Sequence, residues 1–437
     1  MSELNASLVP QLPIVGVDAH EPVARKPTDW RTGSMQGRIR RRYAAERRFR
    51  LIGAGAVVLA AAFLAFLLVT MFANGLRGFT RTEVALDIDF PRSTLIVDQT
   101  AVQRFGEQGL AGADLQGVVA AAANARLGPG GAALLSDGAW VEVRRAILED
   151  PAILSGVHRF ELPAAAAIDV AAKGDGAADA EVQVARLRER GLLSTGFNGQ
   201  FLTGADATDP TAVGIWGAFK GSLLTMLVTL ALAFPIGVLS AVYLEEYAPR
   251  NRWTDIIEVS INNLAAVPSI IFGLLGLAIF LNVMNLPRSA PIVGGLTLAL
   301  MTMPVIVIAG RNAIKAVPPS IRDAALGVGA SPVQVVFHHV LPLALPGILT
   351  GTIIGMARAL GETAPLLMIG MRAFISSPPE GLTQPATVLP VQIFLWSDEV
   401  SRGFVEKTSA AIIVLLVFLL AMNGIAIYLR NRFEKRW

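Results

Sequence analysis

The stretch PPSIRDAALGVGASPVQVVFHHVLPLALPG (Pro318–Gly347) lies between two long apolar segments of this chain and has the pattern of two short helices joined by a tight turn. Two prolines at its start end the preceding segment, because proline cannot continue the hydrogen-bond ladder of a helix. Ser320 is the predicted N-cap of the first short helix, with Asp323 in a capping-box-like position three residues later. Gly329 favours the turn that ends this helix. The stretch therefore predicts a helical connector at a membrane surface.

The composition indicates a membrane protein. Hydrophobic residues make up 53% of the 437 residues and charged residues only 16%, whereas soluble domains carry about 25% charged residues. The net charge of +3 is small, and no basic tract is interleaved with aromatic residues, which argues against nucleic-acid binding. The chain has no cysteine, which excludes disulfides, thiolate nucleophiles and cysteine metal sites.

The first apolar segment follows a basic leader. Residues 1–50 hold ten Lys and Arg against five Asp and Glu, and residues 51–73 then continue without a charge. This run is long enough to cross about 30 Å of hydrocarbon. A cleaved signal peptide is the competing interpretation, but the long leader and the lack of an A-x-A-like site oppose it. We interpret 51–73 as a transmembrane anchor with a cytoplasmic N-terminus, because the arginines precede it.

Residues 74–215 have a different character and predict an α+β domain outside the membrane. TEVALDIDF and STLIVD alternate as strands do, and GADLQGVVAAAANARL and DAEVQVARLRERG have helical patterns. Glycine and proline breaks such as GPGG separate them. The segment contains no arrangement of side chains typical of a catalytic site.

The remainder, 216–437, predicts a five-helix membrane core. Its apolar spans lie near Phe219–Tyr243, Ile261–Val283, Pro291–Ile314, Leu343–Gly370 and Ala410–Leu429. With the first span they make six crossings, so the basic C-terminal tail RNRFEKRW returns to the cytoplasm, as the positive-inside rule requires. The predicted fold class is mainly α: a six-helix polytopic membrane protein with an α+β external domain inserted after the first transmembrane helix. Glu245 and Glu246 fall at the predicted cytoplasmic edge, where solvation at the interface is the simplest interpretation.

The connector between the fourth and fifth spans, residues 315–342, resembles the loop signature of ABC importer permeases. That signature is Glu-Ala-Ala, three residues, Gly, nine residues and Ile-x-Leu-Pro. It is matched here by Asp323-Ala324-Ala325, by Gly329 and by Leu341-Pro342. Two departures are Asp for Glu at 323 and His for Ile at 339. The resemblance implies that these residues dock in a groove of a cytoplasmic ATPase and transmit its closure to the membrane helices. A generic amphipathic connector is the alternative.

A finer resemblance covers about Gly214–Trp437. The stretches YLEEYAPRNRW, INNLAAVPSIIFGLLGL and ARALGETAPLLMIG are similar to the A-type permease of phosphate-specific ABC importers, and the leader and external domain resemble its extended form in some Gram-negative bacteria. The resemblance implies a bacterial inner-membrane transport subunit that works with a second homologous permease, a cytoplasmic ATPase dimer and a periplasmic phosphate-binding protein. The chain lacks the G-x-x-x-x-G-K-[ST] phosphate loop. We therefore expect it to be no enzyme and to bind no cofactor, with ATP and Mg bound by the separate ATPase.

Two charges and three glycines share one arc of the fifth span. At about 100° per residue, Gly347, Gly351 and Gly355 fall at about 0°, 40° and 80°, and Arg358 and Glu362 at about 20° and 60°. Small residues four apart allow a neighbouring helix to approach closely, so we expect both charges to face protein rather than lipid. One interpretation is a structural ion pair. The other is that Arg358 faces the translocation pathway and meets phosphate, with Glu362 orienting it, because intramembrane charges are commonly functional and a guanidinium offers forked donors to an oxyanion.

Three other functions compete with phosphate import. The same architecture could carry sulfate or molybdate, which the loop signature does not distinguish from phosphate. A secondary transporter or channel working without ATP is a different class, and the docking signature argues against it. A membrane enzyme is least favoured, because four scattered histidines and no cysteine leave no obvious metal or nucleophile site.

Overall fold

The structure, a computed structural model, describes residues 32–433. Residues 1–31 of the leader and the end of the basic tail lie outside this range, and so do the predictions made for them. The helices are α1 Gly33–Gly78, α2 Gln99–Phe105, α3 Leu115–Leu127, α4 Ala139–Glu149, α5 Ala166–Ala172, α6 Ala178–Glu189, α7 Gly199–Thr203, α8 Trp216–Val242, α9 Arg252–Ala265, α10 Ser269–Gly276, α11 Pro291–Lys315, α12 Pro319–Gly327, α13 Pro332–Gln334, α14 Leu341–Gly361, α15 Ala364–Met368, α16 Leu389–Ser397 and α17 Gly403–Phe433. The strands are β1 Thr80–Asp89, β2 Val157–Pro163 and β3 Leu193–Phe197.

Three segments of π-helix continue three of these helices. Tyr243–Tyr247 follows α8, Leu277–Val283 follows α10, and Val335–Val340 joins α13 to α14. A π-helical turn inserts an extra residue into the helical ladder and is common at functional sites. Val335–Val340 lies within the predicted ATPase-docking loop, and Tyr243–Tyr247 contacts that loop through the pair of Glu246 with Arg322.

The segment after α1 forms a small α+β domain, as its patterning predicts. β1 is the central strand of an antiparallel sheet in the order β2-β1-β3. Apolar residues of β1, α3, α4, α5 and α6 build a hydrophobic core between residues 84 and 192. One prediction here is wrong: STLIVD is not a strand, because residues 95–98 are irregular and Asp98 caps α2 by accepting from the amide of Thr100.

A buried ionic cluster joins this domain to the start of α17. Nζ of Lys173 lies 2.7 Å from Oδ2 of Asp169 and 2.9 Å from Oε2 of Glu406. Next to it, the fully buried Lys407 donates to the carbonyl of Gly78, at the end of α1, over 2.7 Å. Breaking a buried pair leaves an uncompensated charge, which is strongly destabilising. The cluster therefore fixes the α+β domain to the end of α1 and the start of α17.

The membrane part consists of long apolar helices, which confirms the predicted fold class. Within residues 32–433, five helices are long and apolar enough to cross a bilayer, and the bent pair α9–α10 makes a sixth crossing if it counts as one span. The prediction of a single helical span at Ile261–Val283 is wrong, because the chain bends by 101° between α9 and α10. The break lies just before Pro268, whose ring disfavours helical backbone in the residue before it.

The packing of α8 on α11 shows that the bent pair α9–α10 carries the chain back across the membrane part between these two helices. Residue numbers rise together along the contact: Val228 lies beside Gly295, Ile306 beside Gly237 and Ala241 beside Gly310. The two helices are therefore parallel, and the segment between them must return to the side where α8 began. At about 1.5 Å per residue, α9 and α10 with its π-helical extension are each about 21–22 Å long, so neither spans about 30 Å of hydrocarbon alone.

The fifth span also differs from its prediction. It was expected over Leu343–Gly370, but α14 ends at Gly361, and the short helix α15 and a turn follow. In that turn Gly370 has a φ of 90°, in the left-handed region that favours glycine. The residues after Gly361 thus belong to a compact, non-spanning segment that packs against α10, where Gly273 contacts Pro365.

Candidate functional site

The glycines of α14 lie against α11. A Cβ added at Gly347 would lie 2.7 Å from the Cβ of Ala313, and one added at Gly355 would lie 3.0 Å from the methyl group of Thr302. Between them, Gly351 packs directly on Ala309. The partner numbers fall as the α14 numbers rise, so α11 and α14 are antiparallel. Hydrogens in place of side chains allow the two backbones to approach closely.

Arg358 and Glu362 lie at the end of α14, not within a continuous helix. Arg358 is in the last turn, where its charge complements the helix dipole. Glu362 has extended backbone angles of −77° and 124°, because the helix has already ended. Nε of Arg358 is 3.5 Å from Oε1 of Glu362. The hydrogen bond is therefore long, and within residues 32–433 the other guanidinium donors of Arg358 have no acceptor.

The two charges differ in how far this chain covers them. The side chain of Glu362 is 18% exposed, whereas that of Arg358 is 49% exposed. Arg358 lies on a stripe with Ile354, which is also exposed, while Gly351 and Gly355 are buried against α11. The expectation that both charges face protein stays a prediction, since this chain covers most of Glu362 but only half of Arg358. The wheel placed Arg358 at about 20°, inside the glycine arc, so the helical angle alone does not predict how far this chain covers the side chain.

The predicted docking loop forms a helix, a turn and a second helix, but its caps differ from the prediction. The N-cap of α12 is Pro318, and Ser320 lies inside the helix. The capping box lies further along, where Ser331 and Gln334 exchange hydrogen bonds between side chain and backbone. The turn between the helices contains Gly329, whose φ of 90° requires a residue without a side chain.

The signature residues divide between a buried and an exposed side of this loop. Ala325 is buried against the end of α11, while Asp323 and Ala324 are exposed. Leu341 and Pro342 are half-buried at the start of α14. Four large apolar side chains are exposed on the loop: Leu326, Val328, Val333 and Phe337. An exposed apolar patch of this kind marks an interaction surface.

Ion pairs that the sequence did not predict hold this loop on the membrane helices. Arg322 of α12 pairs with Glu246, and Arg311 of α11 pairs with Glu245 and Glu258. Interfacial solvation is therefore the wrong interpretation for both glutamates, whose side chains are mostly buried in ion pairs. No local spacing could reveal these pairs, because Glu246 and Arg322 are 76 residues apart.

Two family models match this chain, one over its N-terminal part and one over the membrane helices of its C-terminal part. Residues 233–436 match the family described as binding-protein-dependent transport system inner membrane component. Residues 36–182 match a domain of unknown function, DUF3333.

Several curated proteins are similar to this chain. A probable ABC transporter permease protein, YqgI of Bacillus subtilis, is 30% identical over 54% of this chain and 84% of its own length. The phosphate transport system permease protein PstA of Yersinia pestis is 31% identical over 49% of this chain and 71% of its own length. The phosphate transport system permease protein PstA 1 of Mycobacterium tuberculosis is 35% identical over 36% of this chain and 51% of its own length.

Proposed function

This chain belongs to the family of binding-protein-dependent transport system inner membrane components, and we propose that it is the permease subunit of an ATP-driven importer of inorganic phosphate. One observation carries the choice of phosphate: the chain is 31% identical to a phosphate transport system permease over 71% of that protein. As a permease it is a multi-pass inner-membrane transport subunit and not an enzyme. ATP hydrolysis belongs to a separate subunit, which binds ATP and Mg.

The assembly contains three kinds of partner. A second homologous permease completes the membrane pore, a cytoplasmic ATPase dimer docks on α12 and the turn after it, and a periplasmic protein delivers phosphate. Both termini are cytoplasmic. Two features support this orientation: the arginines that precede residue 51 and the exposed apolar patch of the docking loop.

Arg358 contributes to the pathway for phosphate. Its side chain is half exposed, is held within the described residues by one long contact to Glu362, and lies in the part of α14 furthest from the docking loop. A charge in this position is costly in lipid, and a fixed fork of N–H donors matches the oxygens of a phosphate. Glu362 orients the guanidinium and keeps phosphate from binding too tightly to leave.

Uptake by reconstituted vesicles tests the substrate. The complete complex is placed in vesicles with its binding protein, and uptake of radiolabelled phosphate is compared with that of sulfate and molybdate. We expect ATP-dependent uptake of phosphate that unlabelled phosphate inhibits and the other two oxyanions do not. Uptake of sulfate or molybdate in preference to phosphate would assign this permease to another oxyanion.

A further inference from the structure

Two groups of ion pairs connect the docking helix with three membrane helices. In the first, Nη2 of Arg322, on α12, lies 2.6 Å from Oε1 of Glu246 in the π-helical end of α8. In the second, Arg311 of α11 pairs with Glu258 of α9 and, over 3.4 Å, with Glu245 beside Glu246. These charges lie at the end of the helices where α8 and α11 approach the docking loop.

Arg322 contacts the end of α11 as well as Glu246. Its Nη1 donates to the carbonyl of Val317 over 2.8 Å, and its Nη2 donates to the carbonyl of Ile314 over 3.1 Å. The guanidinium thus supplies a donor to the carbonyl of Val317, just past the end of α11, and a further donor to the carbonyl of Ile314, which already accepts from the amide of Val317. A single side chain of the docking helix is thus bonded to two transmembrane helices.

The apolar attachment of α12 is slight by comparison. Of its nine residues only Ala325 is buried, in the cluster that also holds Ile314 and Val317, and the half-buried Ile321 packs against the same cluster. The methyl group of an alanine buries little surface, whereas charge-assisted hydrogen bonds are both stronger and directional. The Arg322 side chain therefore determines how α12 is oriented on α8 and α11.

Arg311 extends these ion pairs to α9, the first helix of the bent pair α9–α10. It is almost fully buried, and its pair with Glu258 holds α9, the half of the bent span that lies nearest the docking loop. A displacement of the ends of α8 and α11 consequently reaches α9, which bends by 101° into α10.

We propose that Arg322 and Glu246 are positioning residues that transmit the movement of the docked ATPase from α12 to α8 and α11. The proposal rests on the proposed function, because it assumes that an ATPase docks on α12. Loss of the pair should leave the complex able to hydrolyse ATP while less of that hydrolysis drives transport. A merely structural role would instead lower assembly, hydrolysis and transport together.

The first test measures phosphate transported per ATP hydrolysed in reconstituted vesicles. We expect Arg322→Met to lower this ratio by about tenfold, within the usual range of coupling between sites, and Arg322→Lys to restore part of it. Glu246→Gln should lower it as well, and the double variant should be no worse than Arg322→Met. The exposed Arg250 and Asp255 provide the matched controls Arg250→Met and Asp255→Asn, which should keep the wild-type ratio. An unchanged ratio in Arg322→Met, or equal loss of assembly and hydrolysis, would overturn the proposal.

A second test does not depend on the transported ion. The chain has no cysteine, so spin labels can be attached only at Ser320→Cys on α12 and Tyr247→Cys at the end of α8, both exposed. We expect the distance between the labels to stay constant when the assembled complex is trapped with ATP and vanadate, and to change when Arg322→Met is added. The same distances with and without Arg322 would contradict the proposal. Transport of a different oxyanion by the wild type would contradict only the proposed substrate.

Discussion

Gly351 lies against Ala309 so closely that no side chain fits between α14 and α11. One turn earlier, a Cβ added at Gly347 would lie 2.7 Å from the Cβ of Ala313. This contact joins the helix that carries Arg358 to the helix that leads into the docking loop. The two proposed sites, one for phosphate and one for the ATPase, are therefore connected by a rigid helix pair.

Gly351→Leu should destabilise the permease, because overpacking a tight contact costs about 1–3 kcal/mol or more. The expected result is a lower thermal unfolding midpoint of the purified protein in detergent. Gly424→Leu is the matched control, since nothing lies within 4 Å of a Cβ added at Gly424. Equal midpoints for the two variants would show that the α11–α14 contact is not tight.

Gly329→Ala should weaken docking of the ATPase. The φ of 90° at Gly329 is strained for any residue with a side chain, at a cost of about 1–3 kcal/mol, so the turn after α12 changes shape. The measurement is the amount of ATPase retained on the immobilised permease. Gly327→Ala is the control, because Gly327 ends α12 without a positive φ and with open space around it. Full retention by the Gly329→Ala variant would contradict the role of this turn.

Arg358→Gln should reduce phosphate uptake by about tenfold or more, since a hydrogen bond to a charged group contributes about 1.5–3 kcal/mol. Arg358→Lys should keep part of the uptake, because lysine retains the charge but not the forked donors. Initial uptake rates in vesicles are compared after showing that each complex assembles. If Arg358→Gln transports at the wild-type rate, Arg358 is not part of the pathway.

Stability should depend on pH through Asp206, which lies in the connection between α7 and α8. Burial raises the pKa of the Asp206 carboxyl above its ordinary value of 3.8, although its Oδ1 accepts a 3.0 Å hydrogen bond from Trp396. A carboxyl with a raised pKa holds its proton more tightly when folded, so its contribution to stability is lost as the pH rises through that range. Asp206→Asn should therefore gain stability relative to wild type as the pH rises above 3.8, the ordinary pKa of the carboxyl. A difference in unfolding midpoint that is constant with pH would contradict this.

The sequence predicted those features that depend on residues close together in the chain. The spacing from Asp323 to Pro342 predicted a short helix, a glycine turn and the start of α14. Periodic glycines predicted a close helix contact on α14, and unbroken apolar runs predicted the long helices. Each of these follows from the geometry of one helix or one turn.

Features that depend on tertiary contacts were not predicted. Hydropathy is the same in a straight and a bent apolar span, so the break before Pro268 was missed although proline allows it. The end of α14 at Gly361 was likewise hidden inside an apolar run. The pairing of Arg322 with Glu246 depends on contact between two segments 76 residues apart, and the pattern of residues within one segment does not predict such a contact.

ATP-driven accumulation of phosphate is the most direct test of the central claim. Vesicles containing the two permeases and the ATPase are supplied with loaded binding protein, and internal phosphate is followed with ATP, without ATP and with an inactivated ATPase. The account predicts accumulation above the external concentration only with ATP and an active ATPase. Equal uptake without ATP would contradict it and would identify a secondary transporter or a channel.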